Sequence, residues 1–246
     1  MQSRHVLLES PALGRRAHVW TFGHFGRPVV VFPSNAGVAH EWRESGMVDA
    51  LKPWIDAGRI KLYCPESNIS QTFSGEGRLD ERMHRHAQYE RFITEDLASF
   101  IREDCGAPRI RLTGAGCSMG AMYSALFALK YPELFRGALC MSGRYRGSEF
   151  VKGGGYTESM YFNDPLAFVP GLGGAALERV RRHTHLTLVV GRGAFEGRCL
   201  PETVELGGWL KKKGVPTHVG VWGTDAKHDY AWWKKQVAHY LPQVAR

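Results

Sequence analysis

Short, solid apolar runs alternate with longer stretches of helical period along most of this chain. Pro28-Val29-Val30-Val31-Phe32 has no polar position, which suits a strand covered on both faces. Comparable runs predict strands over 5–8, 16–22, 28–32, 60–64, 109–113, 137–141, 185–190 and 217–222. Pro11 and Gly14 mark a turn between the first two. Helices are predicted over 41–56, 82–104, 119–131, 175–182, 199–213 and 230–240. In the second of these Met83, Tyr89, Phe92, Ile93, Leu97, Phe100 and Ile101 recur at the spacing of one helix face. Gly58, Pro132 and Gly214 supply stops. Two segments keep neither period: 65–80, polar and turn-rich, and 143–174, rich in glycine.

Strand and helix in alternation imply a mostly parallel, twisted sheet of about eight strands with helices on both faces. The two irregular segments read as pocket-forming insertions in one domain spanning 1–246. Trp42, Phe73, Tyr145, Tyr156 and Tyr161 could line the pocket, with simple packing the plainer reading of each. In such sheets the active site sits where the strands end.

Composition changes this picture little. The 246 residues are 43% hydrophobic and 23% charged, enough for one large core. The formal net charge of +8 raises nucleic acid or an anionic surface as a partner. The Lys and Arg residues are dispersed, however, and the one tight cluster, Lys211-Lys212-Lys213, ends a predicted helix, where cations complement the dipole. Solubility, or attraction for anionic substrates, is the simpler reading, with no nucleic-acid partner. Five cysteines without a C-x-x-C pair read as free thiols. The first ten residues lack a secretory apolar core, and no run approaches bilayer length, so the expected location is the cytoplasm. Nothing in the pattern assigns an oligomeric state.

Candidate chemistry begins at Gly116-Cys117-Ser118-Met119-Gly120. This G-x-S-x-G lies between a predicted strand and a predicted helix, the context of a nucleophile elbow. A tight turn there strains the central residue and projects its hydroxyl into the cleft, with the Met119 N–H at a helix start as an oxyanion donor. The plainer reading is Ser118 as a helix N-cap. Cys117 should point away from the cleft and pack as a thiol.

A serine needs a base and an orienting acid, which in this fold follow in the order acid, then histidine. His228 follows the strand 217–222 by a short loop and precedes the last helix. Glu196 follows the strand 185–190, and Asp225, three residues before His228, competes for the acid role. A second oxyanion donor is expected from Ser34-Asn35-Ala36-Gly37, at Ala36 or Asn35. His84 and His86 are two apart and do not share a helix face, and His183 and His185 straddle a junction. No metal site is expected from these spacings. His24 and His40 flank the loop after Phe32 and could border the pocket, with surface roles the plainer reading.

These residues resemble the putative-esterase branch of the α/β-hydrolases, the esterase D-like group. The resemblance rests on Ser118-Met119-Gly120-Ala121, Tyr131-Pro132-Glu133-Leu134-Phe135, Met141-Ser142-Gly143, Tyr161-Phe162-Asn163-Asp164-Pro165 and His228-Asp229-Tyr230-Ala231-Trp232-Trp233. Gly193-Ala194-Phe195-Glu196 matches that group's acid position, with Glu where Asp is more usual. The resemblance implies an α/β-hydrolase fold, a Ser118–His228–Glu196 triad, and a cofactor-free esterase or thioesterase acting on a small ester through an acyl-enzyme. Acyl transfer to an alcohol, as in the related mycolyltransferases, shares the first step. Two other readings compete. Gly114-Ala115-Gly116 imitates a dinucleotide-binding loop, but its third glycine comes one residue late and no ribose-binding acid follows. A binding or scaffold protein could keep the same fold without catalysis.

Overall fold

A computed structural model describes residues 1–151 and 156–245. Eight strands form one sheet: β1 (Ser3–Ser10), β2 (Arg15–Phe22), β3 (Arg27–Phe32), β4 (Ile60–Pro65), β5 (Leu112–Cys117), β6 (Phe135–Met141), β7 (His185–Val190) and β8 (Thr217–Val221). Their spatial order is β1-β2-β4-β3-β5-β6-β7-β8. β1 and β2 are antiparallel to their neighbours, and β3 to β8 run parallel. The chain leaves β3 toward β4 on one side, and later elements build outward from β5 on the other. The gap between the ends of β3 and β5 is therefore the topological switch point, where such sheets open a crevice.

Alternate residues of the central strands serve two cores. Val30 and Phe32 of β3, with Ala138 and Cys140 of β6, join the core that includes the helix Met119–Lys130. Val29 and Val31, with Leu139 and Met141, join the core beneath the helix Tyr230–Val244. Burial on both faces is why these strands read as unbroken apolar runs. Residues 119–129 are buried all round, so that helix has no wet face. Phe127 stacks on Phe32 at 4.9 Å between ring centroids, and each fully buried ring contributes about 1.5–3 kcal/mol.

Several expected elements differ in extent. The stretch 41–56 is three short helices, Glu41–Glu44, Met47–Ala50 and Lys52–Asp56. Gly46 at φ 75° turns the chain, and Pro53, in the first turn of the third piece, cannot donate to a continuing helix. β5 lies at Leu112–Cys117 rather than 109–113, because Ala107–Ile110 closes a turn and the strand runs through Gly114-Ala115-Gly116. Glycine is a poor strand former in isolation; close packing of the helix Met119–Lys130 overrides that preference. The helix expected over 82–104 begins at Leu79 and widens to a π-type turn over Phe92–Leu97. The 143–174 segment carries short helical pieces, Gly147–Phe150, Glu158–Tyr161 and Pro165–Gly171, and its residues 152–155 lie outside the described residues. Buried Glu202 anchors the segment by accepting from the N–H groups of Tyr145 (2.5 Å) and Arg146 (3.0 Å) and from Arg144 Nε (2.7 Å).

Candidate active site

Ser118 joins β5 to the helix Met119–Lys130 with φ 55° and ψ −117°. A residue with a β-carbon pays on the order of 1–3 kcal/mol for such a conformation. Its surroundings hold it there. The Ser118 N–H donates to Met141 O at 2.8 Å. A β-carbon on Gly116 would lie 2.4 Å from the Gly120 backbone, and one on Gly120 would lie 2.2 Å from Phe32 O. The two glycines of G-x-S-x-G are thus required by contact between β5, the helix start and the end of β3. Cys117 points into the second core, is fully buried, and has its thiol pKa raised well above the ordinary value by that burial.

The loops after β7 and β8 lie against each other. The Arg192 N–H donates to Gly223 O (3.1 Å), Gly193 N–H to Ala226 O (2.8 Å) and His228 N–H to Ala194 O (3.0 Å). Gly191 permits this approach, since a β-carbon there would sit 2.0 Å from Ala226 O. These bonds carry His228 and Glu196 to Ser118. His228 Nε2 is 3.1 Å from Ser118 Oγ, and His228 Nδ1 is 3.5 Å from Glu196 Oε2. Glu196 is only 1% exposed, and Oε2 makes no hydrogen bond, whereas Oε1 accepts from Ser142 Oγ at 2.5 Å. The Ser142 hydroxyl in turn accepts from Trp233 Nε1 at 2.9 Å. The Trp233 ring stands edge-on to the His228 imidazole, 4.8 Å between centroids. The long Nδ1–Oε2 distance fits the loose geometry common without substrate.

The other candidates separate clearly. Asp225 is exposed and turned onto its own loop at Gly223, with no hydrogen bond or ion pair to His228 among the described residues. Met119 N–H begins the helix beside Ser118. Asn35 and Ala36 are exposed in the loop after β3, whose end packs on Gly120. Ser34 N–H is taken by Glu41 at 2.8 and 3.0 Å, while the Asn35 and Ala36 N–H groups meet no acceptor among the described residues. Trp42, Phe73 and Tyr145 are core residues rather than walls; Tyr161 is half-buried and Tyr156 is exposed. His24 lines a 440 Å³ cavity with Arg27, Arg59 and Lys61 at the opposite end of the sheet from Ser118. His40 lines a different cavity, of 360 Å³, with Arg15, His18 and Trp20. His86 is buried against Phe73 and Tyr123, and burial lowers its pKa to about 4.

Sequence reasoning assigned no role to Ser142 or Trp233. Both lie inside segments that carry the family resemblance, and that was the available signal. No local spacing shows that a serine after β6 and an indole in the last helix meet at one carboxylate.

The sequence model of the putative esterase family matches residues 66–244. The chain belongs to that family of esterases and has the α/β-hydrolase fold. No curated protein sequence matches it. Among solved structures it is similar to a ferulic acid esterase, at 17% identity over 100% of this chain and 97% of that one, with a TM-score of 0.76. It is similar to an S-formylglutathione hydrolase from Staphylococcus aureus, at 13% identity, full coverage of both chains and a TM-score of 0.74. A fluorophosphonate-binding serine hydrolase from the same organism aligns at 14% identity over 100% of this chain and 98% of that one, with a TM-score of 0.73. At these identities the likeness is one of fold. No helix among the described residues is long and apolar enough to cross a membrane.

Proposed function

We propose that Ser118 is the nucleophile, His228 the general base and Glu196 the orienting acid in hydrolysis of a small ester or thioester. The observation that carries this reading is the 3.1 Å approach of His228 Nε2 to Ser118 Oγ, at a serine strained to φ 55°. The Ser118 proton passes to Nε2 as Oγ attacks the carbonyl carbon. The resulting oxyanion accepts from Met119 N–H and from Ala36 or Asn35 N–H. Collapse expels the alcohol or thiol, which takes the proton from His228. Water, deprotonated by the same nitrogen, then attacks the acyl-serine and releases the acid. Glu196 favours the tautomer with hydrogen on Nδ1 and stabilises the imidazolium. No cofactor takes part in this sequence.

The residues 65–80 and the described parts of 143–174 supply the pocket rim of a single domain in this reading. Lys211 and Lys212 occupy the last turn of the helix Cys199–Lys212, in keeping with a dipole role and not a nucleic-acid partner. Five free cysteines, Cys64, Cys105, Cys117, Cys140 and Cys199, favour a reducing compartment such as the cytoplasm.

The test is labelling by a fluorophosphonate, with the adduct located by peptide mass spectrometry, beside a panel of p-nitrophenyl esters and matched thioesters. The adduct should fall on Ser118. An unlabelled protein, or an adduct on a different residue, overturns the assignment.

A further inference from the structure

The Nδ1 side of the His228 imidazole faces two groups at once. Glu196 Oε2 lies 3.5 Å away and Cys199 Sγ also lies 3.5 Å away. The three atoms lie within 4.8 Å of one another. Glu196 and Cys199 are held in one turn of chain, because the Leu200 N–H donates to Glu196 O at 2.9 Å just where the helix Cys199–Lys212 begins. Both side chains are almost fully buried, and Oε2 is a carboxylate oxygen with no hydrogen-bond donor. A buried acceptor left this way is destabilising. The nearby cation, Arg144, is already engaged by Glu202 and Glu149.

Imidazole nitrogen, thiolate sulfur and carboxylate oxygen are the ligand types of Zn²⁺. Tetrahedral Zn²⁺ with ordinary bond lengths places nitrogen about 3.4 Å from oxygen and about 3.6 Å from sulfur. The two edges at Nδ1 already have these lengths, and the Glu196–Cys199 edge is no longer than 4.8 Å. We infer that Glu196, Cys199 and His228 Nδ1 form a site for a thiophilic divalent cation, typified by Zn²⁺, that switches the esterase off. The inhibitory half of this inference rests on the proposed roles of Ser118 and His228; the binding half does not.

The proton balance explains the inhibition. On binding, the Cys199 thiol loses its proton to solvent and sulfur donates its electron pair to the ion. The imidazole stays neutral, with its proton moved from Nδ1 to Nε2. Nε2 then donates a hydrogen bond and can no longer take the Ser118 proton. Glu196 is withdrawn from orienting the ring in the same event. Without an ion, Nε2 faces Ser118 Oγ and the base is free. Hard cations such as Mg²⁺ prefer all-oxygen sites and should be excluded.

The test uses two readouts. Micromolar Zn²⁺ should lower ester turnover about tenfold or more, with recovery on adding a chelator and no effect of Mg²⁺. Cys199→Ser, scored against its own metal-free rate, should lose that sensitivity. Independently, Co²⁺ should give a thiolate-to-cobalt charge-transfer band in the wild type and in Ser118→Ala, but not in Cys199→Ser. Absence of the band in the folded wild type, or full Zn²⁺ sensitivity retained by folded Cys199→Ser, overturns the inference. A band that persists while Ser118→Ala keeps full turnover would overturn the proposed nucleophile and leave the cation site standing.

Discussion

The two ends of the parallel sheet solve the same problem, turning the chain, in opposite ways. At the ends where β3 and β4 begin, glycine does the turning: Gly26 at φ 117° and Gly58 at φ 65°. At the ends where β5, β6 and β7 finish, Ser118 (φ 55°), Ser142 (φ 50°) and Phe195 (φ 65°) turn the chain, the only non-glycine residues with positive φ among those described. All three are in the Ser118–His228–Glu196 constellation or beside it. Phe195 projects into solvent, 88% exposed, so that Glu196 can enter the interior. The charge differs as well. The beginning end carries a 260 Å³ cavity lined by Arg27, Arg109, Arg111, Arg136 and Ile110, with no carboxylate. Strain at the finishing end is tolerated where side chains must be aimed, and avoided where the chain only has to turn.

The contrast can be broken experimentally. Ser118→Ala should lower turnover of p-nitrophenyl acetate on the order of 10⁴-fold or more, because triad members act as a unit; near-normal turnover would remove the finishing end from the chemistry. Glu196→Gln should cost about 10³-fold in kcat while Asp225→Asn stays within about twofold, since only the former leaves the imidazole without a carboxylate; the reverse outcome in paired kinetics would move the acid to the exposed loop. Gly26→Ala should destabilise the fold by about 3 kcal/mol in urea titration and leave kcat per folded molecule unchanged, because its β-carbon would lie 2.4 Å from the Arg59 backbone at a left-handed φ. Unchanged stability would show that the beginning end is not constrained as described. Ser142→Ala should lower kcat about tenfold with KM unchanged, by stripping the donor from Glu196 Oε1 and the acceptor from Trp233; an unaltered kcat would reduce that bridge to packing.

Much of the fold was legible because burial writes itself into composition. The apolar runs of β3, β4, β6 and β7 and the period of the helices called for a mostly parallel sheet covered on both faces. Elements failed where a distant contact outweighed local preference. β5 runs through Gly114-Ala115-Gly116 because a helix presses on it, and the stretch 41–56 breaks at Gly46 where the pattern read one helix. Of the aromatic residues in or near loops, Trp42, Phe73 and Tyr145 take the plainer of their two readings and pack in the core, because a large ring is worth more buried than lining a wet cleft.

The chain alone determined most of the strand–helix order, the G-x-S-x-G turn around Ser118 and the placing of Glu196 and Asp225 ahead of His228, since each is expressed in neighbouring residues. Tertiary structure decided that Glu196 rather than Asp225 faces His228, that Ser142 and Trp233 brace that carboxylate, and that Cys199 shares the imidazole. Those contacts depend on how the loops after β6, β7 and β8 lie against one another, and hydrogen bonds between segments tens of residues apart leave no period along the chain.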